Sequence, residues 1–314
     1  MNNLKKVGLT ALGTVLVSTA AGAADLSVTG GAAITWVGED NSNMGNGFTM
    51  GDSLTFTATV DNDVGDSVWA VTMSQEIDNG SLDDVAIKIN TGDFGTVTFS
   101  KSGTEGVITD WDDLTPTAAE EAWGVAVSGT QDGATNGVAT GNSWHWDYSL
   151  ATIEGVALKA SYFPSDTTTA VDSSIEYGVK YTGIEGLEIA LGMGENNNTS
   201  TKIDNTIASI KYTMGDLSVG AQANESDSAG AGADEDFTAW GISYLFADDI
   251  QVSYNISETD YETSTKENQE GTGISFSYTT GSLTWTGAYS EVDNVAGTAA
   301  SDNSGYELNL AFTF

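Results

Sequence analysis

Cysteine is absent from the 314 residues, so neither a disulfide framework nor a thiolate metal site is available. Arginine is absent too: all nine basic residues are lysines, set against 45 Asp and Glu. Phosphate binding needs clustered positive charge, which excludes nucleic acid as a partner class. The acidity itself fits either a solvated, salt-adapted surface or a role in selecting ions. Only two prolines occur, leaving room for long uninterrupted strands. Past the N-terminus, no segment reads as a transmembrane helix. Hydrophobic residues make up 39% of the chain, too few for strands apolar on both faces. Glycine, by contrast, is abundant at 37, as a fold with many turns requires.

The first residues carry a compartment signal. Lys5 and Lys6 precede a short apolar core from Val7 to Ala20, and Ala21-Gly22-Ala23 matches the small-residue cleavage pattern. Residues 1–23 therefore read as a cleaved signal peptide and 24–314 as the mature domain. The apolar core falls short of the roughly 20 residues that span a bilayer as a helix. Nine lysines less Lys5 and Lys6 leave seven in the mature chain.

The last nine residues show what that chain is. Tyr306, Leu308, Leu310, Phe312 and Phe314 alternate strictly with Glu307, Asn309, Ala311 and Thr313. Period two puts the two sets on opposite faces of a strand, one suited to lipid and one to water. The same alternation recurs in Trp240, Ile242, Tyr244 and Phe246, and in Leu283, Trp285 and Tyr289. Tyr181, Tyr212, Tyr244 and Tyr278 each close a strand before a tight turn, spaced 31, 32 and 34 residues apart by their numbering. One antiparallel hairpin with one long loop fills such a period, and tyrosine at each turn fits an interfacial aromatic girdle.

Counting alternating segments predicts strands over 25–37, 50–60, 67–76, 83–90, 94–101, 142–150, 153–163, 174–183, 186–194, 205–213, 216–225, 236–247, 249–258, 272–280, 282–291 and 304–314. Short connections alternate with long ones rich in Asn, Asp, Ser, Thr and Gly. The pattern predicts an all-β fold, a sixteen-stranded antiparallel transmembrane barrel. A soluble sandwich would also alternate, but it rarely needs this many regular strands.

Phe94-Gly-Thr-Val-Thr-Phe-Ser-Lys101 resembles the fifth-strand motif of the Gram-negative general diffusion porins, where a Phe-Gly strand ending near a basic residue leads into a long loop. The segment that follows, Ser102 to Gly141, is the longest connection in the chain. Leader, strand number, loop position and terminal Phe extend the resemblance over the whole mature chain, and its composition looks most like porins of alphaproteobacterial type. The resemblance implies a homotrimer of water-filled barrels in the outer membrane, with the third loop folded inward as a pore constriction. It implies passive passage of ions and small hydrophilic solutes. It also makes the terminal strand, Tyr306, Leu308, Leu310, Phe312 and Phe314, a tag for the barrel-assembly machinery.

Glu105, Asp110, Asp112, Asp113, Glu120 and Glu121 concentrate carboxylates in that loop, where they would attract cations. Thr117-Ala-Ala-Glu120 after Pro116 reads as a capping box opening a short helix. The family places an arginine cluster on the wall opposite, which this chain lacks. Lys88, Lys159, Lys180 and Lys211 fall on inward faces by parity and Lys101 at a strand end, so lysine supplies the opposing charge, with Lys88 the foremost candidate. His145, the only histidine, turns inward with Asp147, but no nucleophile motif accompanies it, so no catalysis is expected. No cofactor is expected either. The Asp- and Asn-rich loops carry oxygen ligands suited to calcium, with Asp61-Asn62-Asp63 and Asp66 the best grouped, although solvated turn residues explain them as well.

Two other readings compete with a cation-preferring diffusion pore: a substrate-selective channel of the same architecture, and a secreted acidic adhesin or surface-layer protein. The terminal strand gives a direct test. Deleting Phe314 should reduce membrane insertion more than the conductance of whatever inserts, as judged by folded yield and single-channel recording; normal insertion of the truncated chain would contradict the tag.

Overall fold

The computed structural model describes residues 24–40, 47–102, 106–123, 137–138, 141–165, 172–197, 201–230 and 233–314. The expected leader, 1–23, lies outside them. Sixteen strands form one closed antiparallel barrel, each paired with its sequence neighbours and β1 with β16. In order they are β1 Asp25–Glu39, β2 Phe48–Val64, β3 Ser67–Asp78, β4 Ser81–Asn90, β5 Thr96–Ser102, β6 Ser143–Ser149, β7 Val156–Phe163 and β8 Ser174–Tyr181. The second half comprises β9 Leu187–Asn196, β10 Ile203–Met214, β11 Leu217–Ser228, β12 Glu235–Ala247, β13 Ile250–Tyr261, β14 Gln269–Thr280, β15 Leu283–Asp293 and β16 Asn303–Thr313.

Closure runs from Gly31 opposite Thr313 to Glu39 opposite Gly305, and Gly30 and Phe314 exchange both backbone hydrogen bonds at 3.0 and 3.2 Å. The outward residues of this seam are Ile34, Trp36, Tyr306, Leu308, Phe312 and Phe314, all exposed. Trp36 stacks on Phe48 and meets Tyr306 edge-on. With no core behind them, such side chains are stable only against hydrocarbon.

All sixteen expected strands are present, with edges that differ for physical reasons. β5 starts at Thr96 rather than at position 94, because Gly95 takes φ +82° and its carbonyl accepts from the Thr91 hydroxyl at 2.7 Å, closing a turn. β7 starts at Val156 after Gly155 at φ +78°. β2 runs on to Val64, so Asp61 to Asp63 lie in a strand and only Asp66 in a turn. β11, β13 and β14 reach three residues further toward the long-loop end than the apolar alternation predicts. There the ladder continues while the outward residues become carboxylates.

Those carboxylates face one another across strands: Asp204 opposite Asp227, Glu225 opposite Asp236, Asp236 opposite Asp260, Glu258 opposite Glu270, and Glu270 opposite Asp293. All are exposed. This belt marks where the apolar band ends. Like charges directly opposite are destabilising, and salt screens them. The folded barrel in detergent should therefore resist urea and heat better as ionic strength rises. Glu270→Gln, which relieves two repulsions at once, should gain roughly 0.2–1 kcal/mol per pair at low salt. Stability independent of salt in both chains would contradict this account.

Candidate functional site: the inward loop

In the connection from β5 to β6, residues 106–123 and 137–138 lie inside the barrel against its wall. The connection opens with a helix, α1, over Val107–Trp111, whose Val107, Ile108 and Trp111 pack with Ala190 and Ile207 of the wall. Burying such side chains contributes about 1.5–3 kcal/mol each. Gly106 offers no side-chain cap. The Glu176 carboxylate on β8 accepts instead, from the Ile108 N–H at 3.1 Å. Farther on, Ala122 and Trp123 pack with Phe237 and Ala239 of β12, the Trp123 and Phe237 rings meeting edge-on.

Between these two clusters the loop's backbone is satisfied by polar side chains of the wall. Gln222 on β11 donates to the Trp111 carbonyl and accepts from the Leu114 N–H, and Asn224 donates to the Asp112 carbonyl. Asn255 on β13 donates to the Pro116 carbonyl. Ser253 and Ser275 accept from the Ala118 and Ala119 N–H groups at 3.0 and 3.1 Å. The wall also makes room. A Cβ at Gly178 would overlap Trp111, one at Gly220 would overlap Pro116, and one at Gly273 would overlap Ala122. Loop and wall are thus matched from β7 to β14.

The capping box over 117–120 opens no helix. Thr117 does donate its hydroxyl within the segment, to the Glu120 carbonyl at 3.0 Å. The wall serines engage the amides of Ala118 and Ala119, and Gln251 donates to the Thr117 carbonyl. Tertiary partners therefore replace the local ladder. The helix forms ten residues earlier, over a β-branched stretch with no sequence signal for one.

The expected acidic residues divide, with Asp113, Glu120 and Glu121 close together and Asp110 apart from them. Asp110 pairs with Lys159 at 2.5 Å. Asp112 and Glu120 are half-buried, Asp113 is exposed and Glu121 is buried; Glu105 lies outside the described residues. Burial, assisted by the nearby Asp113 and Glu120 carboxylates, pushes the Glu121 carboxyl from 4.5 up to about 8.

Nor do the lysines form one opposing cluster. Lys159 on β7, Lys180 on β8 and Lys211 on β10 stand behind the loop, where Lys180 and Lys211 share Glu188 at 3.6 and 3.4 Å. Lys180 also lies 5.1 Å from the centre of the Trp111 ring. Lys88, on β4, faces a lumenal cavity of about 500 Å³ with Asp84, Asp147 and Lys159. A second cavity of about 710 Å³ adjoins it under α1, with Asp110, Asp147, Lys159 and Lys180. Lys101 is exposed and follows the alternation of Val97 and Phe99, whose ring meets outward-facing Trp144. His145 is buried between the hydroxyls of Ser143 and Ser161 at 2.7 and 2.9 Å, while Asp147 is exposed. Among the described residues, no three His, Asp or Glu side chains are grouped to hold a metal.

Residues missed from sequence are the wall's contributions: Glu176, Gln222, Asn224, Asn255 and the inward glycines. Their signal was present in parity, since each occupies an inward position on its strand.

A closed barrel with an apolar exterior, a polar interior and a loop folded into its lumen defines a transmembrane pore. The chain matches the sequence model of the Gram-negative porins over residues 8–314, and it belongs to that family. It is an outer-membrane porin. Among solved structures, an anion-selective porin from Comamonas acidovorans superposes with a TM-score of 0.69 at 14% identity, covering 93% of this chain and 100% of that one. A loop-deletion mutant of OmpT, an outer membrane protein of Vibrio cholerae, gives 0.68 at 17%, covering 93% and 99%. A mutant of the Rh. blastica porin gives 0.63 at 14%, covering 92% and 100%. No curated protein sequence matches the chain.

The Glu121 carboxyl gives a pH signature. It is neutral below about 8 and charged above, so each barrel gains one negative charge inside the loop on going from neutral to alkaline solution. The potassium-to-chloride permeability ratio should rise across that step, and Glu121→Gln should flatten the rise in reversal-potential titrations. Because the folded form holds this proton more tightly than the unfolded one, stability from this group falls as pH rises from 4.5 to about 8.

Proposed function

We propose that the protein is a general diffusion porin that passes small hydrophilic solutes and prefers cations. Its barrels assemble as a homotrimer after a leader is removed, as the family resemblance implies. The observation that carries the ionic preference is the wall that the described part of the loop does not touch. Alternation along β16 and β1 to β4 turns Glu39, Asp61, Asp63, Glu76, Asp78 and Glu307 inward, and Asp84 lines the lumenal cavity with Lys88 and Lys159. The loop-side lysines are largely offset, Lys159 by Asp110, with Lys180 and Lys211 sharing Glu188. Fold alone does not decide the sign, because the Comamonas porin of the same fold is anion-selective.

A passage lined by carboxylates concentrates cations and repels anions, and its width sieves solutes without any chemical step. The loop-side residues Asp110, Asp112, Asp113, Glu120 and Glu121 narrow that passage from one side in this reading.

Planar-bilayer recordings under a KCl gradient test it. The reversal potential should have the sign of potassium preference. Asp110→Asn, which frees Lys159, should lower the potassium-to-chloride permeability ratio by roughly twofold, the scale of one screened charge in an aqueous pore. A chloride preference in the unmodified protein would overturn the cation assignment, and saturable block by one solute would point to the substrate-selective channel instead.

A further inference from the structure

Glu176 stands apart from the other wall residues that hold the loop. It is 1% exposed, on β8, and its two carboxylate oxygens go to two different limbs of the same loop. Oε2 accepts from the Ile108 N–H at 3.1 Å, where the loop leaves β5 and turns into α1. Oε1 accepts from the Val138 N–H at 3.4 Å, where the loop returns toward β6. The two amides are thirty positions apart by their numbers, yet one side chain joins them.

The surroundings are built for that side chain. Gly106 of the loop and Gly194 of β9 press against it so closely that a Cβ at either position would overlap it. Asn196, one inward position along β9 from Gly194, donates to the Gly137 carbonyl at 3.0 Å and so holds the returning limb beside it. Lys159 reaches the Gly106 carbonyl at 3.5 Å and Asp110 on the first limb. Other anchors of the loop, Gln222, Asn224, Gln251, Ser253, Asn255 and Ser275, are neutral and each holds one stretch of it.

We propose that Glu176 is a two-ended clamp, one carboxylate oxygen holding each limb of the inward loop, and that this clamp sets the width and steadiness of the pore. A carboxylate suits the task because it is acceptor-only and offers an oxygen to each N–H. A carboxamide of the same shape has one oxygen, and its NH₂ would face the second N–H donor to donor. The clamp acts through the loop and touches no solute, so Glu176 is a positioning residue. It is separate from the carboxylates that would select ions.

The inference rests on the channel reading, and single-channel recording separates the two. Glu176→Gln keeps shape and one acceptor, so it should release one limb and roughly double the open-channel current noise, with brief excursions to other conductance levels, because an unpartnered buried amide favours the undocked loop. Glu176→Asp keeps the charge but draws the oxygens back by one methylene, and it should behave like the glutamine variant rather than like the wild type. Glu176→Ala should show the largest noise and admit larger sugars in liposome-swelling assays. All three should still give heat-modifiable barrels, since no strand pairing involves this side chain.

Quiet channels of unchanged conductance in all three would overturn the clamp while leaving the porin reading intact. So would failure of both the glutamine and aspartate variants to form barrels, which would make Glu176 a folding residue. A wild-type protein without channel steps would sink the channel reading and the clamp with it.

Discussion

Every backbone N–H and C=O within a bilayer must find its partner in the protein, because hydrocarbon offers none. That constraint governs this molecule. A sheet of fifteen pairings would still leave two bare edges in lipid; the sixteenth, between β1 and β16, removes them. The backbone bonds between Gly30 and Phe314 carry the closure one residue past the end of β16. Once the backbone is satisfied by closure, the two faces of each strand are free to differ. Aromatic and aliphatic residues go outward, and small or polar ones go inward.

The same demand reappears inside the barrel, in a different form. A loop that leaves water to lie against a wall must have its amides and carbonyls met there. The wall meets them with side chains rather than with another strand: an amide from Gln222, Asn224 and Asn255, a hydroxyl from Ser253 and Ser275, and a carboxylate from Glu176. Glycines at the intervening inward positions bring the backbones close enough for these bonds to form. The loop's two apolar clusters, around Trp111 and Trp123, add burial that an open lumen would lack. Among the described residues the docking is asymmetric, with the loop against the wall from β8 to β14 and the lysines there paired with Asp110 and Glu188.

Much of the fold was legible because a half-lipid, half-water strand writes its parity directly into the sequence. The alternation at Tyr306 to Phe314 is a strand face, and Trp240 to Phe246 is another. Where the pattern and the fold part, the reason is local. At Phe94 and Gly95 the apolar pattern continued into a turn that a positive φ decides. At the long-loop end the pattern stopped too early, since the ladder runs on beyond the apolar band through residues such as Glu258 and Glu270. Thr117 to Glu120 carried a local helix signal that wall serines overrode. The lysines were placed on inward faces by parity, but parity gives no angle around the barrel. It therefore could not tell that Lys159, Lys180 and Lys211 stand behind the loop while Lys88 faces a lumenal cavity with Asp84.

The sequence by itself determined the barrel, its strand number and the side that most strand residues face. These follow from period-two alternation and composition, which are properties of neighbours along the chain. Only the tertiary structure decided which acids meet which bases, where the loop's helix lies, and that Glu176 holds both limbs of that loop. Those depend on contacts between residues tens to more than a hundred positions apart, whose meeting is set by the barrel's curvature and by the path of one loop through it. No local pattern encodes that path.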